Sequence, residues 1–290
     1  SLISSFPIIY LHKKILKFLN FLVVGTVRNC EKKIFDTIKV IDKGLIFADR
    51  IEYFFVESDS DDQTLKSLNI LLKKKSNFQF ESFGRLRTDI PLRTERLAIC
   101  RNRCLEYLRS KKNSWAEYLI VVDTDGICSE LSSYVMKDII SKDYWSVMTA
   151  NVRGHYYDIY ALRHKTWCPD DFYIAIKDDL KKGLSYQKSY LRNVIPKMVN
   201  IKPFANEIEV DSAFGGLAIY RKSGIPQDAS YLGVDKNGNE VCEHVSFHFS
   251  IKNNKGKIFI NPRLIIGPGI VQCWIKLIKR KIKLIFNIPF

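Results

Sequence analysis

The chain has 290 residues, of which 46% are hydrophobic, 12% aromatic and 27% charged. That composition excludes a disordered or low-complexity protein and supplies the apolar surface for one large or two small folded units. A net charge of +15 calls for an anionic partner, and three are available: nucleic acid, an anionic membrane surface or a phosphorylated substrate.

Residues 1–20 read as a lead-in segment. They are apolar, but His12, Lys13, Lys14 and Lys17 interrupt them, and no run reaches the ~18 apolar residues of a membrane span. The first regular element is the β-branched run FLVVGTV (Phe21–Val27), which reads as a buried parallel strand. Ile34, Ile38 and Ile41 then recur at helical spacing up to Gly44. Ile51–Val56 is a second strand, and Asp61 or Asp62 is placed to cap a helix over Gln63–Lys75. Phe78–Phe83 is a third strand. A long helix runs from Pro91 and Thr94 to about Lys111, with Leu97, Cys104, Leu105 and Leu108 inward. Tyr118–Val122 is a fourth strand, Leu131–Ser141 a helix and Trp145–Ala150 a strand. Strand and helix alternating with short links predict βαβ units, a mostly parallel sheet covered on both faces, and a ligand crevice at the carboxyl ends of the strands.

The second half is less regular. Residues 152–203 are rich in Tyr, Arg and Lys without a clean period. A Gly pair precedes the apolar run LAIY, Asn237-Gly238 marks a turn, and Glu243–Ile251 has apolar spacing that suits strand or helix. Lys257–Ile260 and Leu264–Ile266 read as two short strands. In residues 269–290, Ile275, Ile278, Ile282 and Ile285 share one side of a helix, flanked by Lys276, Lys279, Arg280 and Lys283. Such a basic amphipathic tail reads as an anchor to an anionic membrane surface. Seven cysteines contain no CxxC pair, and Cys100 and Cys104, one helical turn apart, read as small buried hydrophobes. This suits a reducing compartment, so the expected location is cytoplasmic, peripheral at a membrane surface.

The strongest chemical signal is YLIVVDTDG. A buried strand delivers Asp123 and Asp125 in its terminal turn, and Gly126 permits a sharp bend. Two carboxylates launched together are what Mg²⁺ or Mn²⁺ needs, because hard cations take carboxylate oxygens together with substrate phosphates. The metal then neutralises a departing nucleoside diphosphate. Arg93 and Arg96 lie at a helix start, where backbone N–H groups also favour anions, and Arg suits bidentate phosphate contact.

On these residues the chain resembles the GT-A glycosyltransferases, which move a sugar from a nucleotide diphosphate sugar to an acceptor. The resemblance implies an α/β, Rossmann-like GT-A fold with a mostly parallel central sheet flanked by helices. It implies one domain over residues 21–268, with a nucleotide-binding half (21–150) and an acceptor-binding half (151–268). In VVGTVRNCE it places Gly25, Thr26 and Arg28 at the nucleotide edge. In FFVESDSDDQT it places Glu57 near the base or ribose, with Ser58 and Asp59 continuing. LRTERLAICRNRCLEYLR carries the Arg101-Asn102 pair of that family and is also similar to capsule-associated α-mannosyltransferases of fungi; it adds Arg93, Arg96 and Arg101 to the donor site. Asp123, Thr124 and Asp125 form the metal–diphosphate turn.

EVDSAFGGLAIYRKS resembles the acceptor-side segment, with Asp211, Gly215 and Gly216 in the matching positions. In VCEHVSFHFSI the resemblance assigns Glu243 as general base for an inverting transfer and His248, or His244, as a further metal ligand. GHYYDIYALRHKTW offers hydrogen-bonding aromatics with Asp158 and Arg163 for a glycan, protein or lipid-linked acceptor. Two alternatives remain. A nucleotidyltransferase would want a Gly-rich phosphate loop, and GTVRN is poor in Gly. A nucleic-acid-binding module would use the +15 charge, but carboxylates at the strand ends oppose a phosphate backbone.

Overall fold

The computed structural model describes residues 18–268. Most of the lead-in segment and the whole basic tail 269–290 lie outside the described residues.

One sheet of eight strands organises the chain. Its strands are β1 (Asn20–Val27), β2 (Arg50–Glu57), β3 (Phe78–Ser82), β4 (Tyr118–Val122), β5 (Val147–Arg153), β6 (Ile208–Val210), β7 (Leu217–Arg221) and β8 (Ile258–Pro268), in the spatial order β3-β2-β1-β4-β7-β5-β8-β6. β3, β2, β1 and β4 pair in parallel; β7 runs antiparallel to both β4 and β5; β5 and β8 are parallel; β6 closes the edge antiparallel to β8. The sheet is therefore mostly parallel, as the alternating sequence predicts.

Its central strands β1, β4 and β7 are largely apolar because both faces are covered, while the edge strands β3 and β6 carry polar residues. Leu22 and Val24 of β1 join one core, Phe21, Val23 and Val27 the other. The first core takes Cys104, Leu105 and Leu108 from α3 (Arg93–Arg109), Phe172 and Ile176 from α5 (Phe172–Lys181), and Phe247 and Ile251 from α7 (Glu243–Asn253). The second takes Ile34, Ile38 and Ile41 from α1 (Lys33–Gly44), Leu68 and Leu71 from α2 (Thr64–Lys74), and Met136 and Ile139 from α4 (Ser133–Ser141).

Several local expectations change. Glu243–Ile251 is helical. Residues 152–203 hold α5 and a further helix, α6 (Tyr186–Asn193). The two strands expected over 257–266 are one strand, β8, whose register with β5 shifts between Thr149 and Asn151 and again before Arg153. Asp62, of the two cap candidates, accepts the Thr64 N–H at 3.0 Å at the start of α2, whereas Asp61 pairs with Arg85 at 2.8 Å and with Arg87. The described cysteines are free and buried, and burial pushes the Cys100 thiol up to about 11 and Cys104 to about 12. Among the described residues no helix is long and apolar enough to cross a membrane.

Candidate active site

The parallel strands end on one side of the sheet, and there a cleft of about 250 Å³ opens. Its walls come from the ends of β1, β2 and β4, the first turns of α3 and α7, and the segment after β5.

The turn after β4 is fixed from three directions. The Asp123 N–H donates to the Gly216 carbonyl at 2.9 Å, prolonging the β4–β7 pairing. Thr124 points inward, its hydroxyl 3.2 Å from the Thr26 carbonyl at the end of β1. Asp125 Oδ1 accepts the Ile127 N–H at 3.2 Å, and Gly126 adopts φ +89°. In this turn Asp123, Thr124 and Asp125 all line the cleft, with Thr124 buried between the two carboxylates. Lys33 of α1 donates to the Asp125 carbonyl.

Arg101 is the central cation. Its side chain is 6% exposed, with Nε 2.9 Å from Glu243 Oε1 and Nη2 3.5 Å from Asp123 Oδ1. Burial disfavours its charge, but Glu243 and then Asp123 more than offset that, so its guanidinium is held protonated. The faces of Phe214 and Tyr231 lie 5.2 and 5.9 Å from it. Its neighbour Asn102 bonds both ways with Tyr231, at 2.9 Å to the carbonyl and 2.8 Å from the N–H, which ties α3 to the chain preceding α7. Glu240 caps α3, 3.1 Å from the Thr94 hydroxyl.

Of the residues expected in the donor site, Thr26, Arg28, Arg93, Arg96, Arg101, Asp123, Thr124 and Asp125 line the cleft, and so does Glu243. Four do not. Gly25 lies within β1, where an added Cβ would meet the Val122 carbonyl oxygen at 2.5 Å, so it is a close-packing position between β1 and β4. Glu57 turns toward the β3 edge, accepting from the Ser60 N–H at 3.0 Å and the Ser82 hydroxyl. The acidic group that reaches the cleft after β2 is Asp59, in a left-handed turn at φ +61°, with Oδ2 3.3 Å from Arg96 and Oδ1 2.9 Å from the Arg87 N–H. Asp211, expected to be catalytic, is half-exposed outside the cleft and paired with Lys252 at 3.3 Å. His248, expected as a metal ligand, is fully buried with both ring nitrogens engaged, Nδ1 3.0 Å from the Ser212 hydroxyl and Nε2 2.8 Å from the Tyr220 hydroxyl. Burial, then Arg101, lowers its pKa to about 3.

Around the acceptor-side expectations, Asp158 lines the cleft and accepts the Gly215 N–H at 2.9 Å. Arg163 instead braces its own loop, bonded to the Leu162 carbonyl at 2.7 Å and to Asp171 at 3.0 Å. Gly215 and Gly216 have φ of +71° and +96°. A Cβ at Gly215 would meet the Ala150 carbonyl oxygen at 2.6 Å, so the pair seats β7 against β5. Tyr157 and Tyr160, among the aromatics of GHYYDIYALRHKTW expected to serve the acceptor, line the cleft just past the carboxyl end of β5, whereas Phe214 and Cys242 line it without having been expected to.

Among the described residues no three His, Cys, Asp or Glu side chains cluster closely enough to hold a cation alone. The donor set fits the other mode, in which one or two carboxylates hold Mg²⁺ or Mn²⁺ with phosphate oxygens and water.

No protein-family model matches the chain, and no curated protein matches it. Solved structures with a similar backbone course do exist. The mannosyltransferase PcManGT from Pyrobaculum calidifontis, in complex with GDP-Man and Mn²⁺, is 12% identical over 88% of this chain and 58% of that chain, with a TM-score of 0.47. S. aureus TarS in complex with UDP-GlcNAc is 15% identical over 83% of this chain and 55% of its own, with a TM-score of 0.43. Glucosyl-3-phosphoglycerate synthase from Mycobacterium tuberculosis, in complex with Mn²⁺, UDP and phosphoglyceric acid, is 13% identical over 86% and 69%, with a TM-score of 0.43. This chain spans less than two thirds of the first two. These are likenesses of backbone course, and the chemistry below is derived from the geometry of the cleft itself.

Proposed function

We propose that the chain is a metal-dependent glycosyltransferase that moves a sugar from a nucleotide diphosphate sugar onto an acceptor. The observation that carries this reading is the pairing of Asp123 and Asp125 in one turn, at the carboxyl edge of the sheet, in a cleft that also holds Arg28, Arg93, Arg96 and Arg101. Carboxylates alone repel a diphosphate, and arginines alone do not select a metal-bound one. Both together suit a pyrophosphate carrying a divalent cation.

In this reading Asp123 and Asp125 hold Mg²⁺ or Mn²⁺ against the diphosphate, where the ion supplies charge neutralisation for the leaving group. Arg93, exposed at the first turn of α3 and without an ion-pair partner among the described residues, meets the phosphates. Thr26, Arg28 and Asp59 face the nucleoside end. Arg101, locked by Glu243, carries positive charge that water cannot dilute. Residues 21–150 supply the donor half and 151–268 the acceptor half, from which Asp158 and Phe214 reach the cleft. Lys276, Lys279, Arg280, Lys281 and Lys283 support an anionic membrane surface as the place where a glycan or lipid-linked acceptor is met. Nucleic acid is disfavoured by Asp59, Asp123, Asp125 and Asp158 in the same cleft.

The test is a thermal-shift series with UDP or GDP, with and without Mn²⁺, on the wild type and Asp125→Asn. One diphosphate is expected to stabilise the wild type only when metal is present, and to do nothing for the variant. An identical shift in the variant, or stabilisation by an oligonucleotide instead, overturns the proposal.

A further inference from the structure

The excursion between β5 and β6 carries a surface of one sign. Residues 180–206 hold six cationic side chains, Lys181, Lys182, Lys188, Arg192, Lys197 and Lys202, and no acidic one. Little of that charge is spent inside the fold. Arg192 reaches Asp179 at 3.6 Å and Lys181 reaches Asp178 at 3.9 Å, whereas the other four make no ion pair among the described residues.

Large apolar side chains stand among these cations. Leu191, Val199 and Phe204 are exposed, Phe204 to 88%. On α6, Lys188, Leu191 and Arg192 share the outward face while Ser189 is buried, so Leu191 is set between two cations. Phe204 sits at the corner of a turn that the Ala205 N–H closes on the Lys202 carbonyl at 2.9 Å, and residues 202–206 are all exposed. Pro203 fixes φ at the first corner, so the turn presents the ring at little further entropic cost. A single exposed apolar side chain needs no explanation. Apolar tips set among cations are the pattern of a surface that lies in a membrane interface.

This surface is rooted beside the cleft. The Val199 carbonyl accepts the Tyr156 N–H at 2.8 Å, and the Ile201 carbonyl accepts from Asn151 Nδ2 at 3.0 Å. Asn151 belongs to β5, and Tyr156 directly precedes Tyr157 and Asp158 of the cleft wall. β6 runs antiparallel to β8 and β5 parallel to it, so the chain enters β6 at the end of the sheet where β5 leaves it, the end at which the cleft opens.

We propose that residues 180–206 dock on an anionic lipid bilayer, with Leu191 and Phe204 entering the headgroup layer and the cations meeting lipid phosphates. Charge alone suits any polyanion, but a hydrated polymer gives the apolar side chains nothing to enter, and a bilayer does. Docked in this way, the chain holds the acceptor side of its cleft next to the membrane. That last step rests on the transferase reading, while the docking stands on the surface alone and is separate from the tail 269–290.

The experiment measures cosedimentation of the full chain with vesicles of phosphatidylcholine, with and without phosphatidylglycerol. It compares the wild type, Phe204→Ser, the pair Lys188→Gln with Lys202→Gln, and Ile46→Ser, which removes an exposed apolar side chain between α1 and β2. The wild type is expected to bind the anionic vesicles alone. Phe204→Ser should lower that partitioning about tenfold and the lysine pair roughly 10- to 30-fold, while Ile46→Ser leaves it unchanged. All variants should keep the wild-type Tm and the metal-dependent diphosphate shift. Wild-type partitioning in Phe204→Ser or in the lysine pair overturns the docking and leaves the transferase reading intact. If the lysine pair alone loses vesicle binding, and heparin binding with it, the partner is a polyanionic polymer and the bilayer is refuted. Phe204-dependent vesicle binding in a wild type without a diphosphate shift keeps the docking and removes the transferase reading.

Discussion

Replacing Arg101 with Met tests the charge arrangement on which the cleft is built. The substitution keeps the length of the side chain and removes a guanidinium that bridges Glu243 and Asp123. The two carboxylates are then left in different surroundings. Asp123 is 36% exposed and water takes over its solvation, whereas Glu243 is 5% exposed and keeps a charge with no counter-ion. Stranding one member of a buried pair costs about 3–5 kcal/mol, nearly all of it here from Glu243. For a chain of this size that lowers Tm by roughly 6–20 °C. Replacing both partners, Arg101→Met with Glu243→Met, removes the stranded charge and is expected to recover most of the loss. The assay is urea unfolding followed by circular dichroism on the wild type, both single variants and the double variant, with the coupling energy taken from the cycle. If Arg101→Met alone is within about 0.5 kcal/mol of the wild type, the scale of a surface substitution, or if the double variant loses the sum of the single losses, the buried bridge is not what holds α3 and α7 together.

Two further outcomes follow from the surroundings of single residues. His248 has a folded pKa of about 3 against an ordinary 6.5, so between these values the unfolded chain binds the extra proton and stability falls as pH drops. The contribution is whole above pH 6.5 and declines below it by up to about 1.4 kcal/mol per pH unit; urea midpoints from pH 7 to pH 5 should fall less steeply in His248→Gln, and an equal slope refutes the assignment. Gly215→Ala must place a Cβ 2.6 Å from the Ala150 carbonyl oxygen at φ +71°, so a loss of roughly 1–3 kcal/mol with a lowered Tm is expected, and an unchanged Tm contradicts the packing described.

The first half of the fold was legible because strands covered on both faces announce themselves as unbroken apolar runs, as YLIVV and FLVVGTV do. The helices of the second half were hidden by polar residues that face inward. In α5 the buried Asp179 bonds Ser189 at 2.8 Å and Asn193 at 2.7 Å while Ile174 is exposed, which scrambles the hydrophobic period. In α7 the buried face carries Glu243, His244 and His248. Asn261, Pro262 and Arg263 fall between the two short strands expected, yet Asn261 Oδ1 accepts from the N–H of Arg263 at 2.9 Å and of Leu264 at 3.2 Å, and β8 continues through them. At the site, the placement of Asp123 and Asp125 on the cleft wall followed from a strand end alone. His244 and His248 could not be told apart from spacing, since one helical turn puts both on the same side. What separates them is Ser212 and Tyr220, which reach one ring and not the other.

The sheet leaves one stretch of chain unusually unconstrained by strand pairing. Residues 154–207 depart after β5 and return through β6, a three-residue strand at the rim that pairs with β8 alone. Yet Tyr157, Asp158 and Tyr160, at its outset, stand in the cleft wall. The excursion is nonetheless anchored, because its Phe172 and Ile176 pack in the same core as Leu22 and Val24 of β1, so only its outward-facing positions, such as Ile174 and Phe204, can change without unseating the strands that fix the two aspartates. A surface carried on a long detour but rooted in the central core can thus alter its outer contour while the turn holding Asp123 and Asp125 stays in place.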